Sequence, residues 1–172
     1  MASTTETNLQ NETHIPISAP VLAGNELAYV TECIQSGWVS SRGPYVARFE
    51  GDFAAWCGGA HGISTSSGTN ALHLALLACE IGPGDEVIVP ALTYVASANA
   101  IAYTGAVPVF VDVDATWNLD LSLIEAKITP RTKAIMVVHL YGHPVEMEPL
   151  YRLARQYHLY LIEDACQAHG SL

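Results

Sequence analysis

The chain has 172 residues, of which 50% are hydrophobic and 14% charged, and its formal net charge is −10. This length and composition are typical of one globular domain with its own core, and they exclude a disordered chain. Only seven residues are basic and they form no stripe, which argues against a nucleic-acid partner because phosphate backbones require clustered lysine and arginine.

The start of the chain, residues 1–14, is polar and is predicted to be a flexible leader. It has no apolar signal-peptide core, and no apolar run reaches the roughly 18 residues that a membrane span requires. The four cysteines are scattered without zinc-binding spacing, as expected for free thiols in a reducing compartment. We therefore expect a cytoplasmic protein with no membrane partner and no metal.

In chain order, two helices are predicted first, over residues 24–37 and 44–58, and each ends at a glycine. Short aliphatic runs then alternate with helix-length segments. The predicted strands are 61–65, 86–90, 107–113, 134–139 and 159–164, and the predicted helices between them are 69–80, 94–104, 121–128 and 146–157. Continuous β-branched runs are typical of strands covered by helices on both faces. The alternation predicts an α/β fold on a mostly parallel sheet with right-handed crossovers.

The segment from Ser66 to Asn70 joins a predicted strand to an apolar helix. Its glycine lets a ligand approach the backbone, and the free N–H groups of a first helical turn attract phosphate. An ordinary N-cap by Ser67 explains the same residues. No lysine follows, so the segment is not a P-loop.

Tyr94 follows another predicted strand and Asp164 ends the last one, at the sheet edge where ligands bind in such folds. Tyr94 is either a core or interface aromatic or a ring that stacks on a planar heterocycle. Asp164 can cap a turn, pair with an arginine, bind a metal or hold a protonated ring nitrogen. His139 is expected to be a hydrogen-bonded strand-end residue rather than a catalyst, and His169 stays undecided. A phosphate cradle, an aromatic ring and a strand-end aspartate together suit pyridoxal phosphate, whose pyridine nitrogen must stay protonated.

Six stretches of the chain resemble the DegT/DnrJ/StrS family of pyridoxal-phosphate-dependent sugar aminotransferases. They are "SGWVSSRGPYVARFEGDFAAWCG", "SSGTNALHLALLA", "GPGDEVIVPALTYVASANAI", "GAVPVFVDVD", "ITPRTKAIMVVHLYG" and "IEDACQAHG". The resemblance implies a three-layer α/β/α sheet of fold type I. It implies that residues 15–172 are the N-terminal part of the cofactor-binding large domain, without its remainder and without the small domain.

The same resemblance implies the residues of the site. Gly68 and Thr69 would bind the cofactor phosphate, Tyr94 would stack on its ring, and Gln167 would hydrogen-bond its 3-hydroxyl. Asp164 would pair with the ring nitrogen and is the one catalytic residue expected here. A departure from the family pattern is Cys166, where alanine is common.

The family's Schiff-base lysine belongs to a later motif that this chain does not contain. Lys127 and Lys133 precede a predicted strand and do not match it, so we expect these residues to be inactive alone. For the whole protein the resemblance implies a homodimer that transfers an amino group from an amino acid, with glutamate expected, to a keto sugar nucleotide. A sugar dehydratase of the same family and a non-catalytic truncated product are the alternatives.

Overall fold

A computed structural model describes Pro16 and residues 19–171. The predicted leader, residues 1–14, lies outside the described residues. The chain divides into two compact units, Met1–Gly62 and Ile63–Leu172. Among the described residues, no helix has both the length and the apolar character that crossing a membrane requires.

The first unit contains helices α1 (Glu26–Ser36) and α2 (Pro44–Trp56). Gly37 ends α1 in a left-handed conformation with φ 77°, which glycine adopts without a steric penalty. Pro44 begins α2, where its fixed φ suits the first helical position and its missing N–H costs nothing. The sequence predicted both helices correctly, although each is shorter than expected at one or both ends.

The second unit has a sheet with helices on its two faces. Its elements are α3 (Gly68–Ala78), β1 (Glu86–Pro90), α4 (Val95–Tyr103), β2 (Val107–Val111), α5 (Leu121–Ile124), β3 (Thr132–Val138), α6 (Met147–Tyr157) and β4 (Tyr160–Asp164). Two short 3-10 turns, Glu125–Lys127 and Leu140–Gly142, follow α5 and β3.

All four strands are parallel and lie in the order β2-β1-β3-β4. The central pair, β1 and β3, begins with Glu86 opposite Thr132, and after a register irregularity Ile88 lies opposite Ile135. At the other end of the sheet, Val138 lies opposite Asp164. From β1 the chain crosses to β2 toward one edge of the sheet, and from β3 it crosses to β4 toward the other edge. The strand order therefore reverses between β1 and β3.

Alternate residues of the central strands bury their side chains on opposite faces of the sheet. Val87, Val89 and Met136 pack with residues of α3 and α4 in one apolar cluster. Ile88 and Ile135 pack with residues of α5 and α6 in another. The unit thus has the three-layer α/β/α arrangement that the sequence predicted.

The predicted strand at 61–65 is wrong. Residues 61–65 form no regular secondary structure, and Ile63 is 74% exposed. A strand is stabilised mainly by cross-strand pairing and burial, and the run "HGIST" offers only one large aliphatic side chain for burial. The other predicted strands match within three residues at each end.

Candidate active site

A cavity of about 350 Å³ lies at the carboxyl ends of β1, β3 and β4. It lies where the strand order reverses, which is where ligands bind in open parallel sheets. All five predicted cofactor-binding residues line it: Gly68, Thr69, Tyr94, Asp164 and Gln167. The structure therefore brings together these residues from three separate segments of the chain.

The first turn of α3 forms one wall of this cavity. Ser67 is the N-cap, and its hydroxyl accepts a hydrogen bond from the Asn70 backbone N–H at 3.3 Å. The capping function considered for Ser67 is therefore correct. The first turn of a helix has no intrahelical acceptor for the Gly68 and Thr69 N–H groups, and the capping bond does not involve them. Both groups remain suited to binding an anion.

Gly68 is also required by packing. A Cβ atom at this position would lie 2.7 Å from the Cys166 sulfur, well inside contact distance. With no side chain at residue 68, the start of α3 packs directly against the Cys166 thiol, and a larger residue would have to displace that thiol. The sequence suggested this glycine for ligand approach, and the structure adds a contact with Cys166.

Asp164 ends β4 and is buried, with 7% of its surface exposed. Its Oδ2 accepts a 2.8 Å hydrogen bond from the Ser97 hydroxyl, and its Oδ1 accepts a 3.3 Å bond from the Cys166 backbone N–H. Neutral donors thus hold the carboxylate, and no lysine, arginine or histidine of the described residues forms an ion pair with it. A buried carboxylate on a cavity wall is well placed to pair with a cationic ligand.

Ser97 is a site residue that the sequence analysis missed. It is fully buried on α4, and its hydroxyl also lies 3.0 Å from that of Thr93. Tyr94 precedes α4 by one residue and is 70% exposed, so its ring is not a core aromatic. A serine three residues after Tyr94, in a helix otherwise rich in alanine, was the signal available in the sequence.

Gln167 lies across from the segment that follows β3. Its side-chain oxygen, Oε1, accepts a 2.8 Å hydrogen bond from the Tyr141 backbone N–H. His139 also follows β3 but packs toward the α6 face, where its Nε2 lies 3.2 Å from Glu163 and its Nδ1 accepts from the Val145 N–H at 3.0 Å. His139 therefore hydrogen-bonds outside the cavity and does not line it.

The Cys166 thiol has a pKa raised to about 11. The main cause is desolvation, and the neighbouring Asp164 carboxylate adds to it by accepting a hydrogen bond from the thiol and by charge repulsion. A thiol with this pKa stays neutral at physiological pH. Cys166 is therefore a small packing residue rather than a nucleophile.

The two lysines lie away from the cavity. Lys127 ends the 3-10 turn after α5, and Lys133 is the second residue of β3. The cavity lies at the opposite end of this strand, roughly 17 Å further along at strand spacing. Neither lysine belongs to the cavity wall.

Comparison with known proteins identifies the family. The chain matches the DegT/DnrJ/EryC1/StrS aminotransferase family over residues 20–172. The chain belongs to this family. The predicted family and the fold type I architecture are both confirmed.

Three similar proteins illustrate the match. GDP-perosamine synthase of Caulobacter vibrioides is 56% identical over 158 residues, which are 91% of this chain and 43% of that protein. The spore coat polysaccharide biosynthesis protein SpsC of Bacillus subtilis is 45% identical over 162 residues, 93% of this chain and 41% of that protein. The crystal structure of NtdA from Bacillus subtilis with bound cofactor PMP superimposes with a TM-score of 0.80 at 42% identity and covers 84% of this chain and 33% of that one.

The chain therefore spans less than half the length of these relatives. PMP is the amino form of pyridoxal phosphate, so the predicted cofactor is confirmed for the family. The cavity residues fit this group on their own chemistry. They offer free N–H groups for a phosphate, an exposed ring for stacking, and a buried carboxylate without a basic partner in the described chain.

Proposed function

We propose that this protein is a pyridoxal-phosphate-dependent sugar aminotransferase. Its reaction moves an amino group from an amino acid, with glutamate as the proposed donor, to the keto group of a nucleotide-linked sugar. The observation that carries the proposal is Asp164, a buried carboxylate on the wall of the cavity that pairs with no basic side chain of the described residues. The names of the relatives, which refer to a GDP-linked product and to a polysaccharide, support the sugar substrate.

Different cavity residues bind different parts of the cofactor. The Gly68 and Thr69 N–H groups bind the phosphate, and Tyr94 covers one face of the ring. Asp164 holds the proton on the ring nitrogen, because an adjacent carboxylate favours the charged form of that nitrogen. When bound, the cofactor supplies an electron sink for the carbon that loses a proton.

Ser97 orients the Asp164 carboxylate without itself lining the cavity. Its hydroxyl donates to Oδ2 while the Cys166 N–H donates to Oδ1, so both oxygens are fixed without a competing cation. Neither donor is a cation, so no positive charge of the described residues competes with a cationic ligand for this carboxylate. This arrangement suits a group that must stabilise a cation throughout the reaction.

We also propose a cytoplasmic homodimer, in which residues 15–172 form part of the cofactor-binding large domain. The lysine that bonds the cofactor is proposed to be neither Lys127 nor Lys133, since both lie at the amino end of β3.

Binding of pyridoxamine 5′-phosphate tests the proposal, because this form needs no lysine bond. Equilibrium dialysis should show one saturable site per chain, and Asp164→Asn should weaken it at least tenfold. Asp112→Asn is the matched control, since Asp112 also follows a strand but is exposed and accepts from its own neighbour Val113. Amino transfer is then followed with ¹⁵N-glutamate and a keto sugar nucleotide, using the gene product that carries these residues. Absence of binding, or binding that Asp164→Asn leaves unchanged, would overturn the proposal.

A further inference from the structure

The last two residues of β4 are held from opposite faces of the sheet. Asp164 accepts from the Ser97 hydroxyl of α4 at 2.8 Å. Glu163 points to the other face, as successive residues of a strand do. Its carboxylate accepts from the Tyr151 hydroxyl of α6 at 3.3 Å, and its other oxygen lies 3.2 Å from Nε2 of His139. The carboxyl end of β4 is therefore fixed on both faces, and the proposed function uses only the contacts of Asp164.

His139 lies on the reverse side of the cavity wall. Val138 and Leu140 line the cavity, and between them His139 turns its side chain toward α6, where it is 6% exposed. The backbone N–H of His139 donates to the Asp164 carbonyl at 3.1 Å, which extends the pairing of β3 with β4 by one residue. His139 is thus bonded to or adjacent to three residues of the cavity wall.

Both ring nitrogens of His139 are used. Nδ1 accepts from the Val145 N–H at 3.0 Å. A backbone N–H can only donate, so this geometry assigns a neutral ring whose proton lies on Nε2 and is donated to Glu163. An imidazolium has no acceptor and could not make the bond with Val145. The neutral ring therefore joins the end of β4 to both ends of the segment 139–145.

A second buried polar side chain holds the same segment. Asn118 is 4% exposed, and its amide accepts from the Leu140 N–H at 3.4 Å and donates to the His143 carbonyl at 3.1 Å. Between these anchors Tyr141 has φ 52° and ψ 28°. A residue other than glycine adopts this left-handed conformation only where its surroundings impose it. The path of the chain after β3 is therefore set by the two buried side chains.

We propose that His139 is a positioning residue, whose neutral ring binds Glu163 and thereby fixes the end of β4 so that the Asp164 carboxylate meets the ring nitrogen of the cofactor. The inference rests on the proposed function, in which Asp164 pairs with that nitrogen. Ser97 fixes the carboxylate group itself, whereas His139 fixes the strand end that carries it. Such a pair requires its groups to be held within about 0.5 Å, because hydrogen bonds weaken steeply as distance and angle change.

Two substitutions of His139 separate its two hydrogen bonds. His139→Asn places an amide near the position of Nδ1, where it can accept from Val145 but does not reach Glu163. His139→Gln reaches the position of Nε2, where it can donate to Glu163, but it has no polar atom near the position of Nδ1. The proposal therefore requires that glutamine preserve the position of Asp164 better than asparagine. His143→Asn is the matched control, because His143 lies in the same segment but is exposed.

The probe is pyridoxamine 5′-phosphate labelled with ¹⁵N at the ring nitrogen, bound to the whole protein. Its ¹⁵N chemical shift against pH gives the pKa of this nitrogen in the bound ligand. Binding to the wild type should raise that pKa, because an adjacent carboxylate favours the charged form. His139→Asn should lower the bound value by about half a unit or more, which is roughly threefold in acid dissociation. His139→Gln and His143→Asn should stay near the wild type.

The nitrogen pKa separates positioning from stability. Urea denaturation should show that both His139 variants lose stability, so a structural effect alone predicts no difference between them in the bound nitrogen. Tyr151→Phe removes the other donor to Glu163 at a residue that is 43% exposed, and it should lower the nitrogen pKa in the same direction by less. If His139→Asn does not fold, the result with Tyr151→Phe decides.

The outcomes distinguish this inference from the function on which it rests. A nitrogen pKa that is unchanged in both His139→Asn and Tyr151→Phe, or that falls further in His139→Gln than in His139→Asn, would overturn this inference alone. Failure of the labelled ligand to bind the wild type, or a nitrogen pKa that Asp164→Asn leaves unchanged, would overturn the proposed function and this inference with it.

Discussion

The hydroxyl of Ser97 on α4 donates a 2.8 Å hydrogen bond to Oδ2 of Asp164 at the end of β4. We expect Ser97→Ala to lower the free energy of unfolding by about 1.5–3 kcal/mol, because a buried carboxylate loses a charge-assisted donor. Urea denaturation measures this loss. Ser122→Ala is the control, since Ser122 also donates to a carboxylate, Asp120, but is exposed. Equal losses in both variants would show that burial does not strengthen the Ser97 bond.

Asp164→Asn should keep the fold and greatly reduce turnover of the whole enzyme. An amide cannot hold the ring nitrogen in its charged form, and removing one member of a buried ion pair costs about 3–5 kcal/mol. Steady-state kinetics in parallel with Asp112→Asn tests this. Turnover near that of the wild type would contradict the role given to Asp164.

Gly68→Ala should destabilise the protein by about 1–3 kcal/mol, because the new methyl group would meet the Cys166 sulfur. Combining it with Cys166→Ala should restore most of the loss, since the two positions are in contact. Gly51→Ala is the control, because a Cβ there has nothing within 4 Å. Additive losses in the double variant would mean that the contact does not constrain residue 68.

Cys166 should resist alkylation at pH 8. With a thiol pKa of about 11, roughly one thiol in a thousand is ionised at that pH, and the thiolate is the reactive form. Alkylation should accelerate as pH approaches 11, and Asp164→Asn should accelerate it at lower pH because the raising carboxylate is gone. Peptide mass mapping after iodoacetamide treatment follows this, with the exposed Cys57 as an internal reference. Rapid labelling of Cys166 at pH 8 in the wild type would be inconsistent with its surroundings.

Neither Lys127 nor Lys133 should bond the cofactor. Both lie near the amino end of β3, and the cavity lies at its carboxyl end. Borohydride reduction of the 172-residue chain with added pyridoxal phosphate should therefore label these lysines only in part and without selectivity. Lys127→Arg combined with Lys133→Arg should leave pyridoxamine 5′-phosphate binding unchanged. A single lysine labelled to completion, with labelling lost in Asp164→Ala, would contradict the geometry of the cavity.

The sequence predicted the central sheet well because its strands are continuous aliphatic runs buried on both faces. The runs that form β1 and β3 have no other way to cover their side chains. It failed at residues 61–65, where a β-branched pair without a pairing partner was not enough to make a strand.

The candidate site was predicted only where a residue type is itself informative. Gly68 opens a helix, Tyr94 follows a strand and Asp164 ends one, so their positions could be inferred from the alternation of elements. Ser97 and Asn118 act through bonds to residues distant in sequence, and the Tyr141 contribution comes from its backbone. No periodicity or composition reports such contacts.

The strand order has a consequence for how the second unit folds. Helix α4 joins the neighbouring strands β1 and β2, whereas the pairing of β3 with β1 spans the part of the chain that contains α4, β2 and α5. The loop that closes when Glu86 meets Thr132 contains on the order of 45 residues, and nonlocal closure of this kind slows folding. If the β1–β3 pairing forms the folding nucleus, substitutions that weaken the contact of Ile88 with Ile135 should mainly lower the refolding rate. Substitutions that weaken the β1–β2 pairing should then mainly raise the unfolding rate.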